Sequence, residues 1–135
     1  MTRVANAKTE PRLTYDRFVE TLRDPDVPGP VLSPRRFSKV MHVDLQTLAQ
    51  QAGVHRNTIA RAPSSTTVQR FLRDALRVIK AASDVSGGDV ARALFWYRNE
   101  PLPPFEYKTA EQLVADGRTN DLLAYVDSLN AGAAG

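Results

Sequence analysis

The chain has 135 residues, 42% of them hydrophobic, which suits a single folding unit with a substantial core. It contains no cysteine, which excludes disulfides and thiolate metal sites, and it has neither an apolar run of membrane-spanning length nor an N-terminal signal peptide. These features predict a soluble cytoplasmic protein with no membrane partner. The net charge of +3 divides unevenly: residues 1–86 carry 14 basic and 8 acidic residues (+6), and residues 87–135 carry 4 and 7 (−3). The two parts therefore favour partners of opposite charge.

Residues 1–12 are polar and show no apolar period, which predicts a disordered arm; the alternative is a basic arm that touches nucleic acid. Thr14 suits the N-cap of a first helix, in which Phe18 and Leu22 belong to a buried stripe. Residues 24–30, with three prolines and a glycine, then form a stiff connector that no helix can cross.

A second helix begins at Ser33 and Pro34, which are typical of the N-cap and the first helical position. Its apolar residues are expected to face the core and its basic residues to face outward. The apolar residues are Phe37, Val40 and Met41, and the basic residues are Arg35, Arg36 and Lys39.

The next two helices have the spacing of a helix-turn-helix at about residues 45–61. Asp44 caps the first of them, and the pattern Ala-x3-Gly-x5-Ile is formed by Ala49, Gly53 and Ile59. The small alanine lets the second helix cross closely, the glycine takes the tight turn, and the isoleucine enters the shared core. The pattern therefore predicts the helical hairpin that many DNA-binding proteins use.

Basic residues flank this motif, with 9 Lys/Arg and 2 Asp from Arg35 to Lys80. Neutralising DNA phosphates is the simplest use for that charge, whereas the alternative is a hairpin that only packs and whose charges are a solvated face. Residues at the start of the second helix of such a hairpin face base edges. The predicted base contacts are His55, Arg56, Asn57, Thr58 and Arg61, and the predicted phosphate contacts are Arg35, Arg36 and Lys39.

A long helix follows, which begins at Ser65 or Thr66 and ends before Gly87 and Gly88. It covers about five turns, long enough to join the two halves of the chain. Its wide apolar face consists of Val68, Phe71, Leu72, Ala75, Leu76, Val78, Ile79 and Ala82.

Residues 90–97 are apolar nearly all round the next helix, which predicts that it is enclosed and that Phe95, Trp96 and Tyr97 are core residues rather than an aromatic binding box. Pro101 ends this helix. A capping box then begins a short helix, and a last helix begins with Thr119 as N-cap and stops at Gly132.

This part of the chain carries a series of family-like features in order: Trp96, Asn99, Pro101 and Leu102, then TAEQLV at 109–114, Asp116-Gly117, and VDSLNAG at 126–132. They resemble the toxin-binding domain of antitoxins of the Xre/MbcA/ParS type, over roughly the last third of the chain. The sequence departs from the family at residues 103–106, PPFE, where glycines often stand. The N-terminal hairpin resembles Xre-type DNA-binding domains.

Such antitoxins are generally paired with RES-domain toxins, which degrade NAD or use it to transfer ADP-ribose. The resemblance implies an antitoxin of a type II toxin–antitoxin system that blocks the toxin's NAD cleft and binds operator DNA to regulate its own operon, as a dimer or a toxin–antitoxin hetero-oligomer. The alternative is a helix-turn-helix transcription regulator whose C-terminal helices serve dimerisation only. The candidate anchoring contacts, where they are not core, are Leu113, Tyr125 and Leu129, and the candidate inhibitory tail, a slim flexible segment, is Asn130, Ala131, Gly132, Ala133, Ala134 and Gly135.

The sequence lacks the patterns of an enzyme. His42 and His55 have no metal-ligand spacing, no glycine-rich phosphate loop is present, and no acid and base are placed as a pair, so we expect no catalytic activity, metal or cofactor. The predicted fold is all-α: a disordered arm (1–12), a helical bundle with the helix-turn-helix (13–86), and a small helical toxin-binding domain with a C-terminal tail (87–135).

Overall fold

The computed structural model describes residues 13–134, so the predicted N-terminal arm and Gly135 lie outside the described residues. Within this range the chain is all-helical, as predicted, with eight α-helices and one 3-10 turn. The helices are α1 (Tyr15–Leu22), α2 (Pro34–Met41), α3 (Leu45–Ala52), α4 (Arg56–Arg61), α5 (Thr66–Val85), α6 (Val90–Asn99), α7 (Ala110–Ala115) and α8 (Thr119–Ala134), and the 3-10 turn (Pro103–Phe105) lies between α6 and α7.

Five predicted helix starts are confirmed by their N-caps. In each case a side-chain oxygen of the cap accepts a hydrogen bond from the backbone N–H three residues later, which satisfies one of the free N–H groups at a helix start. At α7 the capping box is complete, because the Gln112 side chain also accepts from the backbone N–H of the cap. The five caps are Thr14, Ser33, Asp44, Ser65 and Thr109.

Helix α5 lies at the centre of the fold. All eight residues of its predicted apolar face are buried, and the helix packs against α2 and α3 as well as α6, α7 and α8. The buried side chains of these helices belong to one hydrophobic cluster, which runs from Phe18 in α1 to Val126 in α8. Helices from both ends of the chain therefore share one core.

A buried glutamine fastens the connector to α5. The Gln69 amide is 4% exposed; its oxygen accepts from the Leu32 backbone N–H at 2.9 Å, and its nitrogen donates to the Leu32 and Pro63 carbonyls at 2.8 Å each. Because a buried backbone polar group without a partner is costly, these bonds hold the start of α2 and the turn before α5 in place.

Arg98 ties the C-terminal helices to the N-terminal ones. Its guanidinium donates to the Met41 carbonyl at the end of α2, and its Nε lies 3.5 Å from the Glu111 carboxylate of α7. The Arg98 and Glu111 side chains are only 29% and 13% exposed, so this ion pair is better shielded from water than the other ion pairs of the described chain.

The expectation that α6 is enclosed all round is wrong. Val90, Ala93 and Tyr97 are buried, but Phe95 is 67% exposed and Trp96 is only partly covered. The helix packs on α5 and α7 with one face, and no described element covers the opposite face. Phe95 is therefore a surface residue and not part of the core.

The last helix also differs from the prediction, because α8 does not stop at Gly132 but continues to Ala134. It begins with Thr119 as a helical residue, one position from its expected role as N-cap. Alanine is the best helix former, whereas one glycine costs only about 1 kcal/mol relative to it, so the alanines on both sides of Gly132 carry the helix through. The expected flexible segment is helical at Asn130, Ala131, Gly132, Ala133 and Ala134.

The loop that departs from the family pattern contains two residues in a backbone conformation that favours glycine. Glu106 and Tyr107 have φ angles of 58° and 65°, in the left-handed region that favours glycine. An antiparallel bridge between Leu102 and Lys108 closes the loop, and Phe105 inside it is buried against Tyr125. The side chain of Tyr107 is 69% exposed.

We predict that Gln69→Leu destabilises the protein by about 2–4 kcal/mol, because it leaves the Leu32 N–H and two carbonyls without their partner in a buried place. Urea denaturation of the variant and the wild type measures the difference. Gln46→Ala, at an exposed position of α3, is the control and should change stability by less than about 0.5 kcal/mol. An equal effect of the two substitutions would contradict the role of Gln69.

Candidate functional site

The α3–α4 hairpin has the geometry that the alanine, glycine and isoleucine spacing predicts. Gly53 ends α3 with a φ of 72°, and the Val54 backbone N–H donates to the Ala49 carbonyl at 3.0 Å. Ala49 and Ile59 are 2% and 3% exposed and lie in the common hydrophobic cluster. The two helices are thereby packed through their small and apolar residues, and their polar sides face outward.

The predicted base-contacting residues lie together on the short helix α4. Arg56, Asn57 and Arg61 are exposed, while Thr58 is half-buried. His55 is the N-cap of α4, and its Nδ1 accepts a hydrogen bond from the Asn57 backbone N–H at 3.1 Å. Because Nδ1 accepts this hydrogen bond, Nε2 remains as the hydrogen-bond donor of the exposed imidazole.

The charge of Arg56 acts on the cap of the neighbouring helix. The pKa of the Asp44 carboxyl is lowered first by the hydrogen bond from the Thr47 backbone N–H, at 2.7 Å, and further by the Thr47 side chain and by the positive charge of Arg56. Asp44 therefore stays ionised at neutral pH, and it offsets part of the positive charge at the start of α4.

The predicted phosphate contacts lie on a different helix. Arg35, Arg36 and Lys39 are exposed on α2, which packs on α3, and α3 in turn packs on α4. The Arg36 guanidinium donates to the Thr21 carbonyl at 3.3 Å, so part of its donor capacity is used within the protein. The basic residues are thus distributed over two helices that α3 connects.

The basic residues along α5 fall into two groups. Arg77 and Lys80 form ion pairs with Asp74 and Asp84 on the same helix. Arg70 and Arg73 are exposed and form no ion pair with another described residue. The first half of α5 therefore carries exposed basic residues without an ion pair among the described residues, as the hairpin does.

The predicted anchoring residues of the C-terminal part differ in accessibility. Leu113 is fully buried and belongs to the core, so it has no surface to offer a partner. Tyr125 is half-buried, and its ring meets Phe105 edge-on at 5.6 Å. Leu129 is 40% exposed. Of the three, Leu129 alone presents a large exposed apolar side chain.

The end of α8 extends beyond the core. Every residue from Asp127 to Gly132 is exposed, and the last core residue of the helix is Val126. The segment carries Leu129 and small or polar residues only. This helical segment has side chains that are available to a binding partner.

An apolar groove lies where the end of α5, the exposed face of α6 and α8 meet. Its apolar lining includes Val85 from α5, Phe95 and Trp96 from α6, and Val126 and Leu129 from α8. Val85 is itself 38% exposed. Clustered exposed apolar side chains of this kind mark interaction surfaces of soluble proteins.

The groove was not predicted from the sequence, although the residue pattern of α6 indicates an exposed face. Arg92, Phe95, Trp96 and Asn99 fall at i, i+3, i+4 and i+7, on one face of α6. A face with an arginine and an asparagine at its two ends is not a core face, so the polar residues on it identify Phe95 as a surface residue.

Residues 13–134 hold no group of three histidine or acidic side chains that could bind a metal ion. No helix among them is long and apolar enough to cross a membrane. The comparisons with known proteins give no match: no family model fits the sequence, and no curated protein and no solved structure is significantly similar.

Proposed function

We propose that this protein is an antitoxin of the Xre/MbcA/ParS type that binds a RES-domain toxin through its C-terminal helices and operator DNA through the α3–α4 hairpin. The observation that carries the proposal is the exposed end of α8, where six consecutive residues from Asp127 to Gly132 lie outside the core. An exposed helix end with one large apolar residue, Leu129, offers an anchoring group to a partner's cleft.

The net charge of the C-terminal part of the chain suits an NAD-binding cleft. An enzyme that binds NAD must present basic groups to the pyrophosphate, and residues 87–135 carry a net charge of −3. Asp121 and Asp127 lie on the exposed side of α8. Anchoring through Tyr125 and Leu129 would place residues 130–135 at the cleft. Because this segment is helical through Ala134, we propose that it enters the cleft as a narrow helix.

The proposed DNA contact follows from the exposed polar side of α4. Arg56, Asn57 and Arg61 are exposed there, and the His55 ring offers a donor. An arginine on such a helix can bind guanine with two hydrogen bonds, and we propose that Arg35, Arg36 and Lys39 on α2 neutralise phosphates. α4 has only six residues, so we expect few base contacts and a large electrostatic share of the affinity.

We predict that Arg56→Ala weakens binding to a duplex carrying the sequence upstream of the gene by about 1–3 kcal/mol and changes binding to a scrambled duplex much less. Fluorescence anisotropy at one fixed salt concentration measures both. Arg17→Ala, at an exposed position of α1, is the matched control and should leave both affinities unchanged. An equal loss on the two duplexes would assign Arg56 to phosphate, and no loss would remove it from the interface.

We predict that deleting residues 130–135 leaves a stable complex in which the toxin regains access to NAD. The deleted residues that have described side chains are exposed, so their removal opens no cavity in the core. NAD consumption by the purified complex is the measurement. Deleting residues 1–12 is the matched terminal truncation and should preserve inhibition. If the complex without residues 130–135 still shows no toxin activity, inhibition comes from the packed helices and not from the end of α8.

A second candidate function is a transcription regulator whose C-terminal helices only dimerise, and the apolar groove around Phe95 favours it. Co-expression with the product of the neighbouring gene separates the two functions. An antitoxin co-purifies with that product and neutralises its toxicity, whereas a plain regulator purifies without it and still binds DNA.

A further inference from the structure

The exposed face of α6 is an apolar surface without a cover among the described elements. Phe95 is 67% exposed at its centre, and the adjoining groove contains Val85, Val126 and Leu129. An exposed phenylalanine next to a groove of aliphatic side chains loses unfavourable contact with water when a partner covers both.

Two opposite charges mark the ends of this face. Arg92 lies in the first turn of α6 and Glu100 directly follows the helix, and both line the groove. Neither side chain forms an ion pair with another residue of the described chain. Trp96 lies halfway between them, about 6 Å along the helix axis from each. From its start to its end, the face therefore carries a positive charge, an aromatic ring and a negative charge, in that order.

We propose that this face is a self-association surface on which two copies of the chain pair antiparallel along α6, with a two-fold axis close to Trp96. An antiparallel arrangement about that point sets Arg92 of each copy opposite Glu100 of the other, which forms two equivalent ion pairs. Each Phe95 enters the groove of the other copy. A two-fold interface needs a patch that is complementary to itself, and equally spaced opposite charges around an aromatic centre meet that condition.

The charge pattern favours a second copy over an unrelated partner. A foreign protein has no reason to require opposite charges at equal distances from the centre of the patch, whereas a two-fold pair requires both. Self-association would also place two α3–α4 hairpins in one particle, which is the arrangement that binds a palindromic DNA site. The pairing is inferred from α6 and the groove and not from the proposed toxin contact, although Leu129 belongs to both surfaces.

Four variants of the full chain test the pairing by sedimentation over a range of concentrations. Phe95→Asp should raise the dimer dissociation constant by at least about tenfold, since it removes the central anchor. Arg92→Glu and Glu100→Arg should each weaken the dimer, because each places like charges opposite one another. The double variant R92E/E100R should restore dimerisation towards the wild type, since every pair again has opposite signs. Leu129 is left unchanged because it also belongs to the proposed toxin contact.

The matched control is Tyr107→Asp, which changes another exposed aromatic residue, 69% exposed and outside the groove, to the same side chain. It should dimerise like the wild type. Circular dichroism should show unchanged helicity in every variant, because the substituted side chains lie outside the core. A wild-type chain that stays monomeric, a Phe95→Asp variant that still dimerises, or a double variant no better than its single parents would each overturn the proposal.

Discussion

Burial of α5 is the interaction on which the rest of the structure depends. Its buried face is too wide for one neighbour, since its ten buried residues, eight of them apolar, cover about half of the helix circumference. The helix is covered by neighbours from both sides of it in the chain. The preceding neighbours are α2 and α3, and the following ones are α6, α7 and α8. Because the cover comes from both ends of the chain, the hairpin and the C-terminal helices are held in one core.

Two polar contacts make this arrangement specific. Gln69 satisfies backbone groups on both sides of the connector, and Arg98 joins the end of α2 to α7 through Met41 and Glu111. Apolar burial alone tolerates sliding, whereas buried hydrogen bonds and a shielded ion pair fix relative positions. The surfaces that we propose for DNA, for the toxin and for a second copy are thereby held at set positions on one scaffold.

The sequence was most informative where structure depends on local chemistry. Three kinds of feature follow from neighbouring residues, and all were predicted correctly. They are the caps such as Thr14 and Asp44, the turn at Gly53 and the apolar face of α5. The exposure of Phe95 was not predicted, because whether an apolar helix face is covered depends on which other helices reach it. The end of α8 was predicted as a flexible tail because glycine was given more weight than the alanines around it. The aliphatic pattern also did not decide which of Leu113 and Leu129 belongs to the core. In the structure Leu113 is fully buried and Leu129 is exposed.

We propose that the exposed end of α8 is a protein-binding surface separate from the hairpin. Hydrogen–deuterium exchange of the chain, alone and co-purified with the product of the neighbouring gene, tests it most directly. We expect the partner to slow amide exchange at the end of α8, residues 127–134, and to leave exchange in α4 unchanged. Slower exchange in α4 with none in α8 would contradict it.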